Sequence, residues 1–337
     1  MLRLYKDTKI YILAPAYVAT WWVELLHQLA FKIEKVLWFK NVFIQYLWIQ
    51  ENKNPTPKDY EKYKIHSIEN IDDNEHNVLI VPEVFVNELS KYNHIRKVVW
   101  RLSVDNYYFS KSVNFFYRVF NYHVLLKILN NQNHYLGFSN NVKDIEYHRV
   151  QCEYIRDHLI KKWIHSNKIA FLSDYLISDF FENQWEVKDK ENIVCYNPKK
   201  WLKYTRKIIE YMKKDNIAFI PIQNMTRNEV IELLQKAKVY IDFWHFPWKD
   251  RIPREASVLW CSIIISTKWA WWFYEDFPLS DNQKINNLRN LSIIREQILY
   301  NIEHYEEVVK EMESYRNIVR KEESKFDEDL WKIFTWY

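Results

Sequence analysis

The sequence predicts an α/β fold built as two Rossmann-like domains in series. Three observations predict it. Short apolar runs alternate with segments of helical periodicity, the order that builds parallel sheets with crossover helices. The alternation restarts after a polar stretch, "FENQWEVKDKEN", which reads as a linker. Finally, 337 residues at 48% hydrophobic content can fill two cores of ordinary size.

In the first half, strands are expected at "KIYILAPA", into which "MLRLYKDTK" runs straight, and at "NVFIQYLW", "NVLIVPE" and "KVVWRLS". Helices are expected near 22–36, 83–92 and 111–130, and "YHRVQ" leads into a last helix, "CEYIRDHLIKKW". The second half repeats the scheme with strands "NIVCYN", "IAFIPIQ", "VYIDF" and "CSIIIST". Its helices lie at 202–214 and at the segments opening "TRNEVIELLQKA" and "IPREASVL", before one long charged helix over 292–325. The expected organisation is therefore a first domain at 1–185, a second at 190–290 and a helical segment at 291–337 that packs back toward the first domain. Ligands are expected in a cleft at the carboxyl ends of the strands.

The balance of 48 Lys and Arg against 44 Asp and Glu gives only +4, so nothing points to nucleic acid as a partner. Three widely spaced cysteines suggest a reducing compartment, without a disulfide framework or a zinc cluster. The eleven histidines form no HxxxH or HExxH pair, so no metal is expected. With no signal peptide and no apolar run of ~18 residues, the expected location is the cytoplasm, with room for peripheral contact at the inner face of a membrane.

One compositional anomaly remains. Average usage would give roughly 24 glycines, yet the chain has 1, alongside 16 tryptophans. Trp100 and Trp331 sit where an aromatic packs naturally in a strand or an amphipathic helix. The other fourteen mostly fall where glycine belongs. Trp38, Trp163 and Trp260 each follow a helical pattern, at the left-handed cap position that glycine dominates. Trp48, Trp185, Trp201, Trp244, Trp248, Trp269, Trp271 and Trp272 lie at turns or strand ends, and Trp336 fits neither group. Trp21 and Trp22 occupy a strand-to-helix turn where the backbone is expected to bend sharply and approach a ligand. The simplest account is that the printed Trp stands for Gly at these fourteen positions. Some bacterial lineages read the codon UGA as glycine, whereas other translation tables read it as tryptophan. The Lys-, Asn-, Ile- and Tyr-heavy composition fits an A/T-rich genome in which UGA is common.

With glycine restored, the opening stretch reads "APAYVATGGVELLHQLA", which resembles the N-terminal signature of GT-B glycosyltransferases of the GT4-like type. The resemblance implies two Rossmann-like domains facing a cleft, 1–185 on the acceptor side and 190–290 binding the nucleotide sugar, and sugar transfer from a nucleotide diphosphate sugar with retention of anomeric configuration. It places Trp21 and Trp22 at the donor phosphates. "NIVCYNPKKW" is similar to the family's basic, glycine-ended loop, in which Lys199 or Lys200 would meet the diphosphate by a charge-assisted contact. "DFWHFPWKDRIPREASVLWCSIIIST" is the most specific segment. There Glu255 matches the helix carboxylate that accepts the donor's ribose hydroxyls, and Lys249 and Arg251 are cations near the helix start, where phosphate is also favoured. The family pattern has a second carboxylate eight residues earlier, but Pro247 stands there. His245 or Asp250 would have to take the catalytic role, or the sugar is bound differently. Ser103, Asp105 and Asn106 follow an apolar strand and are acceptor-side candidates, although Asp-Asn is also ordinary turn chemistry. Cys152 stands where the family often has Ser. The family needs neither a thiol nor a metal, because cations and helix dipoles stabilise the departing diphosphate. The implied setting is bacterial surface polysaccharide or glycolipid assembly, with a saccharide or lipid-linked acceptor. A nucleotide-sugar epimerase is disfavoured, since no G-x-G-x-x-G turn appears even after glycine is restored. A non-catalytic nucleotide-sugar-binding protein on the same fold is the other alternative.

Overall fold

In a computed structural model, the structure describes residues 1–107, 145–184, 189–243, 249–267 and 269–336. The chain divides into two compact units, Met1–Asp174 with Lys325–Tyr337, and Tyr175–Ser324.

The first unit holds a six-stranded, all-parallel sheet in the order β3-β2-β4-β5-β6-β7. Its strands are β2 (Ile10–Pro15), β3 (Val42–Leu47), β4 (Val78–Pro82), β5 (Arg96–Arg101), β6 (Tyr147–Val150) and β7 (Ile169–Phe171). Every residue of β2 and β4 is buried, as expected of central parallel strands covered on both faces. The edge strand β3 alternates buried and half-buried residues. Helix α1 (Trp21–Val36) follows β2 and buries Val23, Leu26, Leu29, Ala30 and Ile33, an apolar stripe at 3–4 residue spacing. Helix α2 (Glu153–Lys161) follows β6. A separate parallel pair, β1 (Leu2–Leu4) with β13 (Phe334–Trp336), belongs to this unit.

The second unit has a five-stranded parallel sheet, β12-β11-β10-β8-β9. Its strands are β8 (Glu191–Tyr196), β9 (Ala218–Pro221), β10 (Ala237–Asp242), β11 (Ser262–Ser266) and β12 (Lys284–Ile285). Helix α3 (Ser178–Glu182) precedes the sheet, and α4 (Leu202–Tyr211), α5 (Arg227–Lys236) and α6 (Arg251–Val258) connect its strands. The polar stretch is anchored at its far end: the Lys190 ammonium donates to the carbonyls of Leu234, Ala237 and Leu259 at 2.9, 2.8 and 2.7 Å.

Two expected elements are corrected. Residues Glu83–Lys91 form a 3₁₀ segment interrupted at Phe85, not an α-helix. The backbone leaves helical geometry at Phe85 (φ −108°, ψ 16°), so the helix expected at 83–92 is present as two short pieces meeting at a kink. The long helix over 292–325 is four helices: α7 (Leu291–Glu303), α8 (Tyr305–Glu311), α9 (Glu313–Arg320) and α10 (Glu322–Ile333). Their buried positions keep the 3–4 spacing across every junction, so periodicity alone reads through the single-residue kinks that re-aim the stripe at the core. The helix expected near 111–130 lies outside the described residues.

Among the described residues, five of the eleven with positive φ are tryptophans: Trp38 (55°), Trp48 (64°), Trp163 (64°), Trp201 (50°) and Trp260 (65°). Trp163 and Trp260 sit just beyond α2 and α6 in Schellman-type caps, where Ile164 N–H reaches Leu159 O at 3.1 Å and Cys261 N–H reaches Ala256 O at 2.8 Å. Trp38, Trp48 and Trp163 are 83, 70 and 93% exposed, so packing does not hold them in this conformation. By contrast Trp100 is wholly buried and its indole N–H donates to Leu172 O at 2.9 Å. Trp21 and Trp22 differ from the expected sharp bend. They are the first two residues of α1, and the positive φ in the preceding loop falls on Tyr17. A need for small residues at 21 and 22 would have to come from close approach of a ligand, not from backbone strain.

Candidate functional site

The carboxyl edge of the second sheet gathers most of the residues singled out from sequence. Strand β8 ends at Tyr196, and the turn after it presents Lys199 and Lys200 in different ways. Lys199 is exposed, and its N–H donates to Asn197 Oδ1 at 3.0 Å. Lys200 turns inward, where its ammonium lies 3.5 Å from Asp242 at the end of β10 and contacts Asp250. Burial lowers the Lys200 pKa from its ordinary value, and the pairing with Asp242 opposes that shift. Asp242 also accepts the Tyr240 hydroxyl at 2.9 Å. Lys200 and Asp242 line a small pocket with Asn197, Thr205 and Phe243.

Asp250 is the N-cap of α6, accepting Arg251 N–H at 2.8 Å, so one of its oxygens caps the helix while the other meets Lys200. Arg251 is the buried first residue of α6 and Glu255 lies half-buried one turn on. Lys249 is not left to solvent: its ammonium sits 2.6 Å from Glu322, which also receives Arg254 at 2.7 Å. Arg254 further donates from Nε to Asp250 O at 3.0 Å, locking the helix start to the first turn of α10. Asp242, Arg254 and Glu322 were not singled out from sequence. Arg254 had a signal, being inside the most specific segment; Glu322, 68 residues away, had none. His245 lies outside the described residues.

The remaining candidates belong to the carboxyl edge of the first sheet. Trp21 and Trp22 open α1, with Trp22 edge-on to Phe85 at 6.1 Å. Ser103 is buried and accepts Asn106 N–H at 3.2 Å, and Asp105 and Asn106 are half-buried in the helical turn 104–107. Sequence reading missed the groups beneath them. Glu83 is buried and accepts Leu102 N–H at 2.8 Å, and burial pushes its carboxyl up to about 7. Arg101 donates to His148 Nδ1 at 3.4 Å, and burial followed by the Arg101 charge pulls the imidazole down to about 2, so it stays neutral and able to accept. Among the described residues no group of three or more His, Cys, Asp or Glu side chains could hold a metal ion, and no helix is long and apolar enough to cross a membrane.

Chemically, the α6 edge suits an anionic group with adjacent hydroxyls. A helix N-terminus with Arg251 attracts phosphate, and the Glu255 carboxylate is an acceptor for hydroxyl donors.

No protein-family profile matches the chain, and no curated protein does either. Solved structures do. Sucrose-phosphate synthase from Thermosynechococcus elongatus superposes with a TM-score of 0.59 at 8% identity, covering 98% of each chain. Anabaena HepE in complex with UDP-glucose gives 0.57 at 8% identity, over 96% of this chain and 99% of that one. The fold is accordingly an α/β fold of the GT-B type.

Proposed function

We propose that this protein is a glycosyltransferase that moves a sugar from a nucleotide diphosphate sugar to a saccharide or lipid-linked acceptor. The observation that carries the reading is the start of α6. Arg251 and Glu255 stand one turn apart at the carboxyl edge of the second sheet, on a fold shared with a UDP-glucose complex. In this reading Arg251, Lys249 and Lys200 hold the diphosphate as negative charge grows on it, and Glu255 orients the ribose. Ser103, Asp105 and Asn106 face the acceptor. The chemistry is of the retaining, GT4-like hexosyl transfer type and needs no metal. Its setting is bacterial surface polysaccharide or glycolipid synthesis at the cytoplasmic side of a membrane. A non-catalytic nucleotide-sugar-binding protein is the second reading, favoured by Pro247 in place of the first carboxylate and by Asp250 being engaged as a cap and counter-ion.

Thermal melts with a panel of UDP- and GDP-sugars test the reading, because a ligand that binds only the folded state raises its stability. At least one should raise Tm, and Glu255→Ala should weaken that ligand by about 1–3 kcal/mol while the unliganded melt is unchanged. No response to any nucleotide sugar would discard it, and binding without transfer or hydrolysis would favour the second reading.

The same proposal includes glycine at the fourteen suspect tryptophans in the natural chain. A left-handed conformation costs a bulky residue about 1–2 kcal/mol. Five such sites together would consume about 5–10 kcal/mol, comparable to the whole stability of an ordinary domain. Glycine at 38, 48, 163, 201 and 260 removes that strain, and glycine at 21 and 22 leaves room for phosphate. Peptide mass spectrometry of the native protein decides the matter: tryptophan at 163 and 260 would refute it.

A further inference from the structure

Helix α4 carries a feature that the donor site does not use. Its inner positions Thr205 and Ile208, with Met212 just beyond, are buried in the second unit. The opposite face shows Lys203, Arg206 and Lys207, continued by Lys214 in the following turn, all exposed and none in an ion pair among the described residues. The one acid among them, Glu210, is engaged by Lys213. At 100° per residue, 203, 206 and 207 fall within one third of the helix circumference, so these charges form a single front.

The front is not purely polar. Along its flank runs a groove between α4 and the loop that leads from β12 into α7, made of two adjoining hollows of about 780 and 590 Å³ that share Lys207 and Leu291. Its walls combine Tyr204, Tyr211, Leu288 and Leu291 with Arg206 and Arg289. Tyr211 is 49% exposed, and Tyr204, Leu288 and Leu291 are partly buried. Cations flanking an exposed tyrosine and partly exposed leucines match a bilayer interface, where lysine and arginine meet anionic headgroups and apolar groups enter the acyl boundary. A nucleic acid would use the cations and Tyr211 but gain nothing from Leu288 and Leu291.

We infer that the α4 face, with the groove beside it, docks the protein on an anionic lipid surface. This deepens the proposed function by giving a lipid-linked acceptor's membrane a place to bind, yet it rests on a surface remote in sequence from Arg251 and Glu255.

The test is co-sedimentation of the native protein with vesicles of phosphatidylglycerol and phosphatidylcholine, or of phosphatidylcholine alone. Binding should require the anionic lipid and weaken as salt rises. The double variant Arg206→Glu, Lys207→Glu changes the front by four charges and should reduce binding roughly a hundredfold or more, at about fivefold per charge. A control with the same change in net charge, Lys310→Glu with Lys321→Glu, should bind as the unmodified protein does. Tyr211→Ser should weaken binding without altering its salt dependence. Equal binding to both vesicle types, no binding to either, or equal loss in the control would overturn the inference, as would preference for a 20-nucleotide RNA over the vesicles. UDP-sugar melts on the same samples keep the two readings apart. Intact nucleotide response with no lipid binding rejects only the docking surface, and the reverse rejects only the transferase.

Discussion

At the carboxyl edge of the second sheet Lys200 lies between Asp242 and Asp250, and Lys249 and Arg254 share Glu322. At the edge of the first sheet Arg101 donates to a histidine, and the buried acid Glu83 bonds a backbone N–H. Both edges bury ionisable groups, which is costly unless the charge is paired or removed. The second edge pairs its charges. The first keeps one buried cation, Arg101, beside groups that give up their charge, with His148 neutral down to about pH 2 and Glu83 protonated up to about pH 7. Paired charges can be lent to a ligand, whereas neutralised groups offer none. The contrast therefore separates an edge rich in paired charge from one whose acid and imidazole are neutral.

The largest expected effect breaks the pairing. Glu322→Ala strands the wholly buried Arg254 and the nearly buried Lys249, and should cost about 3–5 kcal/mol in urea unfolding. The double variant Arg254→Met, Glu322→Leu should recover most of that loss; if it does not, the triad does more than compensate charge.

Glu83→Gln probes the neutralised edge. Because the folded pKa of about 7 lies above the ordinary 4.5, the fold binds this proton more tightly than the unfolded chain. The stabilisation is complete below about pH 4.5, falls as pH rises to about 7, and does not return above it. Unfolding free energy should drop by about 3 kcal/mol across that window relative to the pH-independent Gln variant. Parallel pH profiles for the two proteins would contradict the assignment.

A finer test stays at the second edge. Arg251→Ala should weaken UDP by about 1–3 kcal/mol and uridine hardly at all. Lys199→Ala, at an exposed turn, should change stability by less than about 0.5 kcal/mol and discriminate less between the two ligands. Equal losses of UDP and uridine in Arg251→Ala would remove it from the phosphates.

Most strands were legible because buried parallel strands are short apolar runs, and α6 was legible because its cap, cation and carboxylate are neighbours in sequence. The breaks at His304, Met312 and Lys321 were not, since the buried stripe continues through them. Nor were the partners that complete the site. Asp242 was hidden inside a strand pattern, and Glu322 reaches Arg254 only through tertiary folding. Trp21 and Trp22 show the reverse error, a local expectation of strain at residues that are plainly helical.

The pairing of β1 with β13 has a consequence for how the protein is made. The second unit is spliced into the first between Asp174 and Lys325, and residues after 324 supply Phe326 against Trp100 at 6.2 Å, Asp327 to Lys32 at 2.9 Å and the strand beside β1. On the ribosome, the second unit has its whole sequence available before the first does. The unit that begins synthesis is therefore completed last, and until then the β1 edge and the pocket for Phe326 wait open to chaperones or to another chain.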